Sequence, residues 1–218
     1  NKHPILANRK LRAVHRGHSA AQSEMIAAKS ADETLLFLGE PCRFRAEYPI
    51  RLYEEFGENL LAVAPEREKA SAAHMVKAAL NSLSAQNKSV EVLTWRGDPV
   101  YAELISEGAL DGVNVLMGDE AVSRVKAIAA DIAAGNRASA FEIVLGGDHL
   151  LAAMHAEDCL GDMKRALVKG SRLGAHFMFV SGSAAQLATG FISLFRHKVV
   201  FPCPLAEAEK ILRDPNCD

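Results

Sequence analysis

The sequence predicts an α/β fold, a mainly parallel sheet with helices on both faces. Two observations carry that expectation. Residues 59–83 (NLLAVAPEREKASAAHMVKAALNSL) read as a buried strand, a tight turn and an amphipathic helix. After it, short apolar runs alternate with helical stretches to the end of the chain, the pattern of right-handed βαβ units.

The elements follow in order. Residues 1–33 are expected to be an extension or linker, with helical composition over 19–31 but a weak periodic face. Residues 34–218 are expected to form one domain. TLLFL at 34–38 is an apolar run closed by Gly39-Glu40-Pro41, and 44–53 is expected to add an extended piece. The continuous apolar run 59–64 has the pattern of a strand covered on both faces. Pro65 cannot donate a ladder hydrogen bond and ends it. Beyond it, Ala72, Met75, Val76, Ala79, Leu80 and Leu83 fall on one helical face. Glu66 and Glu68 are placed in the first turn, where the helix dipole favours acids.

SVEVLTW at 89–95 is the next strand, and Asp98-Pro99 is a helix start with Asp98 as cap. Strand 112–117 leads to a helix over about 120–134. Strand 141–145 runs into Gly146-Gly147-Asp148-His149, where Asp148 is read as the cap of the following helix. Helical sequence over 162–173 stops at Gly174. Strand 176–180 ends at Ser181-Gly182-Ser183, a helix spans about 184–194, strand 198–201 follows, and 205–212 closes the chain.

Lys plus Arg number 25 and Asp plus Glu 27, a net charge of −2, so no global basic field argues for nucleic acid. No apolar run reaches the length of a membrane span. The chain opens with Asn rather than Met, and is read as part of a longer protein. Cys42, Cys159, Cys203 and Cys217 lack metal-type spacing and are expected to be reduced, structural thiols of a cytoplasmic protein. His149 and His155 stand six apart, on different faces of a helix, which argues against a metal pair. No metal site is expected.

A strand, turn and helix in this order is where a phosphate-binding P-loop belongs. Set against G-x-x-x-x-G-K-[ST], the first Gly position holds Ala64, the second Lys69 and the Lys position Ala70; only Ser71 fits. The acids that hold Mg²⁺ are expected at the end of strand 141–145, where Gly146 and Gly147 stand and Asp148 comes late. Ser181 occupies the end of a further strand, where a polar sensor residue meets the γ-phosphate. Two basic groups are candidate nucleic-acid or partner contacts: Arg9, Lys10 and Arg12 in the extension, and Lys164, Arg165, Lys169 and Arg172 on a helix. The plainer reading is a solvated linker, or a segment packed on a neighbouring domain, for the first and a solvated face for the second.

The order and spacing of these stretches resemble the motor domain of the FtsK/SpoIIIE branch of the FtsK–HerA ATPases. Asn59-Leu-Leu-Ala-Val-Ala64 matches that family's HLLVAG strand, and 141–147 its Walker B strand. Gly170 to Ser183 resembles ARAAGIHLVLATQRP, and Arg196 to Leu212 a stretch like PTRIAFQVSS-x-x-DSRTIL. The resemblance covers about 34–213 and implies a RecA-like P-loop fold, in a translocase that moves DNA or protein. Neighbouring ATPase domains or protomers in a ring are the implied partners.

The Walker A glycines and lysine, the Walker B acids and the sensor Gln are all missing. That implies a catalytically degenerate copy with no catalytic residue and no cofactor, acting in assembly, substrate engagement or regulation. Ala64, Lys69, Ala70, Ser71, Gly146, Gly147, Asp148 and Ser181 would be the vestige of its nucleotide site. Two alternatives stand beside it. One is an active Mg-ATP-driven translocase with an atypical loop, Lys69 replacing the lost lysine. The other is a non-enzymatic module that binds a partner or nucleic acid.

Overall fold

In the computed structural model, residues 25–27, 29, 32–39, 49–137 and 140–212 are described. Arg9, Lys10, Arg12, Cys42 and Cys217 lie outside them, as does most of the helical composition over 19–31; residues 25–27 are helical.

Eight strands are described: β1 (Glu33–Leu36), β2 (Ile50–Tyr53), β3 (Leu60–Val63), β4 (Val90–Thr94), β5 (Asn114–Met117), β6 (Phe141–Leu145), β7 (Phe177–Ser181) and β8 (His197–Val200). The α-helices are α1 (Lys69–Ala85), α2 (Pro99–Ser106), α3 (Asp119–Ala133), α4 (Gly147–Ala156), α5 (Leu160–Lys169), α6 (Thr189–Ile192) and α7 (Leu205–Leu212). Six strands form one sheet in the order β5-β4-β6-β7-β3-β8, with every pair parallel.

Alternate residues of each buried strand feed opposite cores, as the pleat requires. Leu61 and Val63 of β3, with Phe177 and Phe179 of β7, pack beneath α3, α4 and α5. Leu60 and Ala62, with Met178 and Val180, face α1 and α2. The core is therefore two apolar layers with the sheet between them, the arrangement of helices on both faces of a parallel sheet.

Strands β1 and β2 stand apart from this sheet as an antiparallel pair. The ribbon docks on the end of α1. Phe37 N donates to Ser82 Oγ (2.9 Å), Leu35 N to Gln86 Oε1 (3.0 Å), and Gln86 Nε2 back to Leu35 O (2.7 Å). These bonds occupy backbone groups of Leu35 in β1 and of Phe37 just after it.

Several boundaries differ from the sequence reading. Glu66–Glu68 form a single 3₁₀ turn, and α1 starts at Lys69. The helix expected over 184–194 shrinks to α6, because Ser181-Gly182-Ser183 opens a turn that Ser181 Oγ closes onto Ser183 O at 3.0 Å. Asp148 does not cap α4. Gly146 is the cap residue, in the left-handed conformation (φ +65°), and Asp148 lies inside the first turn. The Asp98 expectation holds: its Oδ1 accepts from Tyr101 N at 2.7 Å, with Pro99 at the first helical position.

A polar network joins the strands at the sheet's N-terminal edge. Glu58, fully buried, holds the Arg196 guanidinium with one oxygen and His197 Nε2 (3.0 Å) with the other. Asn59, also fully buried, donates to Leu167 O (2.7 Å) and accepts from Phe177 N (2.9 Å). His176 Nδ1 lies 2.8 Å from Glu58 O. Since a carbonyl only accepts, Nδ1 carries a proton, and burial pushes the His176 pKa down, favouring the neutral ring.

One layer further in, Arg124 of α3 reaches Glu91 of β4 and Glu142 of β6 together. Glu142 is 1% exposed, and burial outweighs Arg124, pushing its pKa up to about 7.

Candidate functional site

In an open parallel sheet, ligands bind at the carboxyl ends of the strands. Here those ends open into a cavity of about 330 Å³. The turn after β3 contributes Ala64 and Glu66, the β4–α2 turn Gly97 to Val100, the start of α4 Gly146, Asp148 and His149, and the end of β7 with the residue after it Val180 to Gly182. Four of the sequence-nominated residues therefore line one space: Ala64, Gly146, Asp148 and Ser181. Lys69, Ala70, Ser71 and Gly147 do not line it.

The turn after β3 lacks the conformation of a phosphate cradle. Ala64 N is still held in the sheet by Ser181 O (2.9 Å), Pro65 is extended (ψ 155°), and the 3₁₀ turn begins at once. A backbone nest for an anion needs residues alternating into the left-handed region. None of residues 64–71 has positive φ.

The nearby side chains are engaged elsewhere. Lys69 Nζ pairs with Glu103 Oε1 of α2 at 3.1 Å. Ser71 Oγ donates weakly to Glu68 Oε2 (3.4 Å), and Arg67 donates to Pro202 O (2.8 Å). Ala70 is exposed.

The acids of the cavity sit at helix starts. Glu66 precedes α1, Asp98 caps α2, and Asp148 lies in the first turn of α4. Each thus answers the unpaired N–H groups and positive dipole end that would otherwise attract a phosphate. Asp98 is 6% exposed, and burial raises its pKa, with Asp148 adding to the rise. From sequence, Asp98 reads only as a cap, and Glu66 and His149 carry no signal that marks them as lining a site. The Gly97-Asp98-Pro99 turn was the available signal, since it ends the strand adjacent to β6.

Steric fit explains both glycines after β6. A Cβ at Gly146 would lie 2.9 Å from Asp98 Oδ2, on a backbone that side chains rarely adopt. At Gly147 it would lie 2.0 Å from Phe179 Cε1. Phe179 in turn packs against Phe191 and Phe195, with ring centroids 5.4 and 5.7 Å away. The space a carboxylate would need at 147 is filled by an aromatic cluster.

The cavity thus combines three carboxylates and a histidine with no Lys or Arg in its lining. That lining does not fit a nucleoside triphosphate. Among the described residues, no group of His, Cys, Asp and Glu could hold a metal ion, and Cys159 and Cys203 are free thiols. No described helix is long and apolar enough to cross a membrane.

The helical basic group is placed as one surface. Lys164, Arg165, Lys169 and Arg172 are exposed along α5 and the 3₁₀ turn Gly170–Leu173, away from the cavity lining.

No family model matches the chain, and no curated protein sequence matches it. Among solved structures, it is similar to the cytoplasmic domain of the Thermomonospora curvata type VII secretion ATPase EccC, at 15% identity and a TM-score of 0.51. The match covers 78% of this chain and 23% of that one. The likeness is one of fold: a six-stranded parallel sheet flanked by helices, consistent with a RecA-like α/β fold.

Proposed function

We propose that the chain is a catalytically degenerate FtsK/SpoIIIE-like ATPase domain of a larger cytoplasmic translocase. It acts in assembly, substrate engagement or regulation rather than by turning over nucleotide. The observation that carries this reading is the lining of the strand-end cavity, acidic and without a cation, beside a turn with no phosphate nest. At an effective dielectric of about 20, a carboxylate about 5 Å from a phosphate charge costs about 3 kcal/mol. Two such encounters offset most of the roughly 8 kcal/mol of a micromolar complex.

The fold likeness to one part of a secretion ATPase supports partners that are neighbouring ATPase domains or protomers of a ring. The translocated polymer, DNA or protein, would then be gripped by active neighbours.

Calorimetric titration with Mg-ATP and a non-hydrolysable analogue tests the reading. The expected result is no saturable heat up to millimolar nucleotide. Micromolar binding overturns it. Such binding, if lost in Lys69→Ala, would assign the lysine role to a residue that must first leave Glu103.

A further inference from the structure

The exposed face of α5 is unlike an ordinary solvated helix surface. Lys164, Arg165, Val168, Lys169 and Arg172 are all exposed, while Met163, Ala166 and Leu167 on the opposite side are buried and fix the helix orientation. Among the described residues, the only carboxylate paired with this row is Asp162, held by Arg165 at 3.0 Å. Lys164, Lys169 and Arg172 meet no carboxylate among the described residues. Solvated helices usually interleave opposite charges at i,i+4, whereas Arg165 and Lys169 are like charges at that spacing, an unfavourable pair. The helix dipole accounts for Lys169 near the C-terminus but not for Lys164 and Arg165 further back.

The strip also carries apolar surface. Phe56 is 57% exposed, and the Arg172 guanidinium lies 4.7 Å from its ring centroid. This contact is held from below, because Ser171 Oγ donates to Glu55 O and ties the 3₁₀ turn to the Phe56 loop. The loop's own acids are already engaged, Glu54 by Arg137 and Glu55 by Arg196. Arg172 is therefore positioned on an aromatic face with its N–H fork available for a carboxylate.

We propose that this strip is a docking surface for an acidic peptide segment of a partner protein, one that alternates carboxylates with apolar side chains. From Lys164 to Arg172 it runs about 12 Å, the reach of about four extended residues. Carboxylates meet Lys164, Lys169 and Arg172, and an apolar side chain meets Val168 and Phe56. A nucleic acid fits less well. Arg172 covers a face of Phe56 on which a base would stack, Val168 interrupts the cationic row, and the whole chain is net negative. This surface is separate from the strand-end cavity and does not depend on how that cavity is read.

The test is fluorescence anisotropy of the chain with a labelled Asp-Glu-Leu-Asp-Phe-Glu peptide, beside labelled oligo-dT. Saturable peptide binding is expected, weakened by salt and stronger than oligo-dT binding. The charge reversal Lys169→Glu with Arg172→Glu should weaken it about tenfold or more, and Phe56→Ala several-fold, with unchanged melting curves because these side chains are exposed. The reversed variant should instead bind a labelled Lys-Lys-Leu-Lys-Phe-Lys peptide. No saturable peptide binding overturns the proposal, as does binding untouched by the reversal. Oligo-dT binding as tight as the peptide's overturns it in favour of nucleic acid.

Discussion

The two ends of the central sheet are built on opposite terms. At the carboxyl end the acids stand singly at three helix starts, facing a cavity, and the nearest lysine is turned away to Glu103. At the amino end, Glu58 binds Arg196 and His197, while Asn59 and His176 bond to backbone of α5, β7 and Glu58. The first end keeps the shape of a ligand crevice without a phosphate's usual partners. The second spends its polar groups on fixing how β3, β7 and β8 align. Specificity in this molecule is concentrated where strands begin, and the end that holds ligands in such folds is held mainly by steric fit.

Three substitutions sharpen or break that contrast. The largest effect is expected from Gly147→Ala at the carboxyl end, where the new Cβ meets the Phe179 ring at 2.0 Å. Overpacking at that distance should cost more than about 3 kcal/mol, the upper end of the usual range, read as a lowered denaturant midpoint, with partial rescue when Phe179→Leu is added. A neutral Gly147→Ala would refute steric fit as what holds this end.

Next comes Asn59→Ala at the amino end, which strands Leu167 O and Phe177 N without partners in a buried site. About 3 kcal/mol of destabilisation is expected. A loss below about 0.5 kcal/mol, the scale of an ordinary surface change, would mean the network does not hold the strands in place.

The smallest effect has the opposite sign. Burial raises Glu142 from its ordinary 4.5 to about 7, so the folded state takes up a proton that the unfolded chain lacks between those values. Its penalty is absent below pH 4.5, grows as pH rises, and is complete above about 7. The shift corresponds to about 3 kcal/mol, of which neutral Glu142→Gln should recover about 2 at pH 8 and little at pH 4. Thermal melts across that range check it, and a pH-independent gap between variant and parent would contradict it.

The sequence exposed what local pattern decides. The apolar run from Leu60 to Val63 and the face through Met75, Val76 and Leu83 each depend on a few adjacent residues, as does the Asp98–Pro99 start of α2. The parallel sheet followed from their alternation. What was hidden depends on distant partners. Asn59 and Leu167 are 108 positions apart, and nothing around Asn59 marks its side chain as a bridge. Lys69 reads as a candidate phosphate ligand until α1 and α2 pack and bring Glu103 beside it. Asp148 reads as a cap because acids often are; the positive φ of Gly146, set by how β6 leaves the sheet, moves the cap two residues back. The antiparallel β1–β2 ribbon was illegible for the same reason, since the side chains that receive it, Ser82 and Gln86, belong to the far end of α1.

The Phe179 ring against Gly147 also sets the order in which this protein can change. A carboxylate cannot enter at 147 while the phenyl group is there, and trimming Phe179 first would open a hole beside Phe191 and Phe195 before any benefit arrived. Each single step is downhill in fitness for folding, so the two positions behave as a latch. A designer who wants a metal-binding acid at this strand end must alter both at once, and chance substitution, taken one residue at a time, meets a barrier in either direction.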